Sequence, residues 1–260
     1  MPLLNLPEPA NWSETGRVSL AVRLGLTVAL MYVIFEGGRA LVAGSYLTTA
    51  VWFGTFSLAF VITAMLVMAA TARVTARTST DATGFTVWPD KRLAAAYFAG
   101  LTVTAPAALL FAILLPRGMI DIPMSRGLQI FSPPALYALC LISVIGLISG
   151  VRRKGVGYLK FTPAMIEIAD VLRTRLLEWD DVVDVRDHAS NTKANRAGPS
   201  VVLCLRDGSE QVIGGLNLYV PGGAALYWLV RHYWKHPEDR GELVDDRALQ
   251  RLKQGQYDLK

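Results

Sequence analysis

Four apolar runs, each able to supply the twenty or so residues that a helix needs to cross about 30 Å of hydrocarbon, lie before residue 152. Soluble domains are about a quarter charged. This chain is 18% charged and 52% hydrophobic over 260 residues, with a mean hydropathy of +0.35, and so reads as a membrane protein. Charge is uneven: residues 1–150 hold nine Lys/Arg and six Asp/Glu, and residues 151–260 hold seventeen and fifteen. A soluble C-terminal part is expected to follow the apolar one.

The first run is Val18 to Phe35, interrupted by Arg23 and flanked by Arg17 and Glu36. The second, Ala40 to Ala72, is too long for one perpendicular span; Leu47 to Ala70 fits best, with a bent or interfacial start around Gly44. The third, Leu93 to Leu115, ends at Pro116, whose ring and missing N–H stop a helix. The fourth is expected from Ala135 to Val151, opened by Pro133 and Pro134 and stopped by Arg152, Arg153 and Lys154. Spans two to four carry no internal charge. A cleaved signal peptide is disfavoured at the first run, because Glu36 and Arg39 separate its apolar core from the small residues Ala43 and Gly44.

Basic residues in short loops stay cytoplasmic. Arg73, Arg77, Lys91 and Arg92 lie between spans two and three, and Arg152, Arg153, Lys154 and Lys160 follow span four. The opposite loops carry only Arg39, and Arg117 with Arg126. The expected plan is a cytoplasmic N-terminal segment (1–17), a four-helix membrane region (18–151), a cytoplasmic domain (155–243) and a charged tail (244–260).

After the linker glycines 155 and 157, short alternating runs predict strands. Leu159 and Phe161 share a face, as do Ile166 and Ile168; Leu177 and Trp179 precede a turn at Asp180-Asp181, and Val182 to Arg186 follows. The polar stretch His188 to Ser200 reads as a disordered loop. Val201 to Arg206, Asp207-Gly208 and Gln211 to Ile213 form the strongest hairpin signal. Beyond Gly222 and Gly223, Leu226, Leu229, Val230, Tyr233 and Trp234 recur at helical spacing, wide enough to cover an open sheet. No internal repeat is visible beyond two successive helical hairpins.

Gly157-Tyr158-Leu159-Lys160-Phe161-Thr162-Pro163, Ile166-Glu167-Ile168 and Leu177-Glu178-Trp179-Asp180-Asp181-Val182 resemble the pattern of bacterial PH-like domains. The ending Tyr233-Trp234-Lys235-His236-Pro237-Glu238-Asp239-Arg240-Gly241-Glu242-Leu243 resembles that of multi-pass actinobacterial membrane proteins carrying such a domain. The resemblance covers residues 155–243. It implies four transmembrane helices plus a small mainly-β PH-like barrel with a C-terminal helix, in a bacterial inner membrane. It implies no reaction.

Several residues invite a function. Arg23 is the one charge placed within hydrocarbon, and either snorkels to the headgroups, the span then running from near Leu24 to near Leu41, or meets a functional partner. Arg152, Arg153 and Lys154 mark the membrane surface and would also attract anionic lipid; Lys193 and Arg196 could reach headgroups too. His232 and His236 have metal-ligand spacing, but nothing completes a site, so they read as surface histidines and no metal or cofactor is expected. Asp187, His188 and Ser190 are adjacent without a spatially fixed base. Cys140 and Cys204 read as small hydrophobes. Trp179 reads as a core plug. Tyr227 and Trp228 fall off the main helical stripe and, with Arg231, are expected to form a partner-binding face.

The net charge of +5 is spread over both halves without a basic face, which excludes nucleic acid as the expected partner. No acid, base and nucleophile set assembles, so no enzyme is expected. The expected function is a membrane-held binding or scaffolding module touching the bilayer and a protein partner. Its rival is a component of a transport system regulated by the PH-like domain, although span three offers only Thr102, Thr104 and a possible kink at Pro106.

Overall fold

The computed structural model describes residues 6–12, 20–153, 155–170, 173–190 and 199–257, without the side chains of residues 20–23. The chain divides into a helical unit, Ser19–Met65 with Arg92–Lys154, and a mainly-β unit, Met1–Val18 with Leu66–Lys91 and Gly155–Lys260.

The helical unit is built from α1 (Leu20–Val42), α2 (Tyr46–Ala70), α3 (Lys91–Leu114) and α4 (Arg126–Arg153). All four are long and apolar enough to cross a membrane. The stretch Ala40 to Ala72 proves to be two helices: Gly44 takes φ +75°, and the Ser45 N–H donates to the Ala40 carbonyl at 2.9 Å. A left-handed residue ends a helix, and glycine adopts it without strain. Glu36 and Arg39 flank the run Val18 to Phe35 but lie inside α1, whose apolar span Leu24–Val42 agrees with the alternative bounds near Leu24 and Leu41. Pro116 does stop α3, which closes in a 3-10 turn over Leu115–Arg117. α4 differs from expectation: it starts at Arg126, and Pro133 and Pro134 sit inside it. Prolines that break a soluble helix are tolerated in apolar helices, where neighbouring groups re-satisfy the freed carbonyls.

Small residues let these helices approach. A Cβ on Gly54 of α2 would come within 2.6 Å of the Ala107 Cβ on α3. One turn on, the Ser57 and Thr104 hydroxyls are 2.9 Å apart, and the Leu58 N–H donates to Thr104 Oγ1 at 3.2 Å. Pro106 lies within α3 without ending it. Polar links across a tight crossing replace the hydrophobic effect, which supplies no drive between helices in lipid.

In the β unit, β1 (Arg77–Asp81), β2 (Gly84–Trp88), β3 (Tyr158–Phe161), β4 (Met165–Ala169) and β5 (Thr174–Glu178) form one antiparallel sheet in that order. β6 (Val182–Arg186), β7 (Val201–Leu205) and β8 (Glu210–Ile213) form a second. The expected Asp207-Gly208 hairpin is the β7–β8 turn, with Gly208 at φ +82°. No hydrogen-bonded barrel closes among the described residues: a 3-10 turn at Trp179–Asp181 carries the chain from β5 to β6, and the two strands belong to different sheets.

Two of the five strands come from the stretch read as a basic loop. β1 and β2 form a hairpin around Ala82-Thr83, whose turn is held by Asp81: its Oδ1 accepts from the Thr83 N–H at 2.8 Å and the Gly84 N–H at 2.9 Å. β2 then pairs with β3, Phe85 opposite Phe161 and Val87 opposite Leu159. Gly84 to Val87 are all buried, so the strand lacks the alternation that marks a half-exposed one.

α5 (Ala224–Lys235) lays Leu226, Leu229, Val230 and Tyr233, all fully buried, into the common core as its spacing predicts. The stretch read as a charged tail is also structural. α6 (Asp246–Gln254) buries Ala248 and Leu252, and Arg251 grips Glu242 through two bonds of 2.8 and 2.7 Å. The compact β unit thus reaches beyond residues 155–243 at both ends and takes in the hairpin.

Candidate functional site

The residues expected to form a partner face are brought together, but not as an open face. Tyr227 is 2% exposed and Trp228 8%. What covers them is the chain's own residues 6–12. The Trp12 ring meets Tyr227 edge-on at 5.7 Å, and Tyr227 meets Trp228 the same way at 5.2 Å. Each indole N–H donates to a backbone carbonyl at 2.9 Å, Trp12 to Ser200 and Trp228 to Pro7. A helix stripe judged off-core by spacing becomes core when a distant segment lies on it.

Polar groups fix that segment at its rim. The Asn11 backbone N–H donates to Asp187 Oδ2 and its side-chain amide to Oδ1, each at 3.0 Å. His188 Nδ1 lies 2.8 Å from the same carboxylate. Burial of Asp187 opposes ionisation, but the hydrogen bonds from His188 and Asn11 outweigh it and hold the carboxyl below its usual range. Within the segment the Trp12 N–H donates to the Pro9 carbonyl at 3.1 Å, closing a turn over Pro9-Ala10-Asn11-Trp12. Arg231, half-buried, lies 5.8 Å from the Trp228 ring centre and donates to the Tyr227 hydroxyl at 3.3 Å.

His232 is a second correction, being 7% exposed rather than a surface histidine. Its Nε2 lies 3.0 Å from Asp239 Oδ2, its Nδ1 is buried without a hydrogen-bond partner, and its ring packs on His236 at 4.8 Å. Burial first, and then the Arg251 charge, push its pKa down. His236 is half-buried beside Glu238 at 3.1 Å. Among the described residues no group of three or more His, Cys, Asp or Glu is placed to hold a metal.

Trp179 is a buried plug, 1% exposed, its indole donating to the Thr162 carbonyl at 2.8 Å beneath the Arg240 guanidinium. Cys204 is buried, which pushes its thiol up, and Cys140 is half-buried; both are free. Ser190 Oγ donates to the Glu210 carboxylate at 2.6 Å, while His188 Nδ1 is paired with Asp187. Arg152 is exposed and Arg153 half-buried at the end of α4. The Arg23 side chain, Lys154, Lys193, Arg196 and most of the polar loop lie outside the described residues.

Two groupings escaped the sequence reading. Asn11 and Asp187 are 176 positions apart, with no local signal linking them. Glu36, 7% exposed, pairs with Arg39 Nη2 at 2.9 Å one helical turn away inside α1; the i,i+3 spacing was legible once the helix was known to continue. Compared with known families, curated proteins and solved structures, the chain matches none of them.

Proposed function

We propose that this is a multi-pass protein of a bacterial inner membrane whose mainly-β unit is a PH-like, cytoplasmic binding or scaffolding module. The observation that carries the reading is the β1–β2 hairpin. It lies between α2 and α3 in the chain yet supplies two strands of the five-stranded sheet, so the unit joins helix ends through residues 70–77, 88–91 and 153–158. A unit stitched to helix ends at several places stays at the membrane surface, which suits holding a partner there.

Parity and charge support the sidedness. Residues 6–12, 66–91 and 155–257 belong to one compact unit, and a pair of long apolar helices lies in each interval between them, which supports both termini on one side. Arg73, Arg77, Lys91, Arg92, Arg152 and Arg153 adjoin the helix ends on that side, against Arg39, Arg117 and Arg126 at the other ends, which supports a cytoplasmic assignment. In intact cells, cysteines placed at Ser79 and Ser209 should be shielded from an impermeant thiol reagent while one at Ser125 labels; labelling at Ser79 sinks the assignment.

A transport component is the second reading, favoured by the buried Glu36, paired with a half-exposed Arg39, since an ionisable group inside a span marks function by default. Affinity purification of the full chain from native membranes separates the two. A stoichiometric partner retained by Glu36→Gln supports the module. Solute flux in proteoliposomes that Glu36→Gln abolishes, with no partner found, supports transport.

A further inference from the structure

We propose that the surface formed by Tyr227, Trp228, Ser200 and Asp187 is a receptor for a short turn-forming peptide ending in Asn-Trp, and that residues 6–12 occupy it as a resident ligand in cis. The proposal rests on the binding-module reading and names the class of partner.

The contacts have the form of a peptide in a site. Residues 6–12 add no strand to either sheet, and both ladders are complete without them. One indole, Trp12, is inserted to 5% exposure against the edge of Tyr227, and its N–H reaches the Ser200 carbonyl. One carbonyl, that of Pro7, is read by the Trp228 indole. One side chain, Asn11, is read by Asp187, which takes both its backbone and its amide N–H. Aromatic anchors within a polar rim are the composition of energetically dominant contacts at protein interfaces.

The specificity is readable from the same atoms. Asp187 faces two donors from one residue, which fits Asn, whose amide supplies N–H groups, and rejects Asp. The pocket beside Tyr227 ends on a carbonyl, which fits the one donor of an indole and leaves a phenyl ring without a partner. The turn closed from Trp12 to Pro9 sets the two side chains at the required spacing. Bare, the Tyr227–Trp228 edge would be an apolar patch; the cis segment keeps it covered until a segment of the same chemistry, from another protein, displaces it. Cis occupancy carries the advantage of a high effective concentration, so only cleavage or a better-fitting segment empties the site.

The test uses the full chain in detergent, with a protease recognition sequence inserted between Gly16 and Arg17 so that the resident contacts stay native until cleavage. After cleavage a fluorescent peptide of residues 6–12 should enter saturably, while the uncleaved chain takes up at least about tenfold less. A Trp12→Ala peptide should compete at least about thirtyfold less well, the indole being the central anchor. Asp187→Asn in the receptor should weaken uptake about tenfold with the melting transition retained, a charge-assisted contact being lost. The proposal is overturned if no peptide enters the cleaved chain or if the Trp12→Ala peptide enters equally well. It is also overturned if the β unit melts once its own segment is washed out, for the segment is then core. None of these results bears on whether the intact chain co-purifies with a partner, which tests the module separately.

Discussion

The two units solve opposite solvent problems with the same apolar residue types. In the helical unit Phe35, Val42, Ile130 and Phe131 are 66%, 91%, 70% and 72% exposed, whereas in the β unit Trp179, Phe161 and Tyr233 are at or below 1%. Exposed apolar surface on that scale is untenable in water and costs nothing in lipid. Large side chains therefore hold the β unit together by leaving water, while in the helical unit small residues let backbones meet beside a packed cluster around Trp52 and Phe111. Apolar content says little about burial until the solvent is named.

The contrast can be broken most forcefully at single large side chains. Trp179→Ala should destabilise the β unit by about 3–5 kcal/mol, through its cavity and the lost bond to Thr162. Ile142→Ala, at a position 64% exposed on α4, should cost less than about 1 kcal/mol. Denaturant melts of the full chain in detergent measure both, and equal losses would erase the distinction.

A smaller effect sharpens the other half. Gly54→Ala places a Cβ where Ala107 already stands, and should cost about 1–3 kcal/mol by overpacking the α2–α3 crossing. Ala107→Gly in the same chain should restore part of the loss. If Gly54→Ala is neutral by thermal unfolding of the helices, close approach is not what holds them.

The smallest effect is a pH dependence. His232 is buried and its folded pKa lies below the ordinary 6.5, so the unfolded chain binds the proton more tightly. Stability from this group is full above about pH 6.5 and is lost as pH falls through the interval down to the folded value. His232→Gln should flatten that limb of the melting curve. It should leave the limb below about pH 4.5, where Asp187 and Glu242, both held low by hydrogen bonds, take up protons. An unchanged upper limb would place the titration elsewhere.

Elements governed by local rules were legible: the four apolar helices, the stop at Pro116, the β7–β8 turn, the α5 stripe and the Trp179 plug. What was not legible depended on partners far away in sequence. Thr78 and Thr80 alternate, yet nothing near them states that β2 will lie between β1 and β3, buried on both faces. Tyr227 and Trp228 were read as lying off the core stripe, and the helix by itself could not reveal that Trp12 would cover them. Pro133 and Pro134 misled because their penalty was weighed for a helix in water, and a span is judged against lipid.

The hairpin also ties the order of events during synthesis to the geometry of insertion. β2 leaves the ribosome before α3 and α4, and its neighbour β3 only after them, so Phe85 waits for Phe161 across two spans. At ribosomal speed the intervening seventy or so residues take on the order of ten seconds, during which a hydrophobic strand edge stays unpaired. Should α3 or α4 fail to cross, β3 emerges on the opposite side and the edge is never covered. A finished sheet is thus a record that both helices went in correctly, and a naked one is what a protease or chaperone would meet.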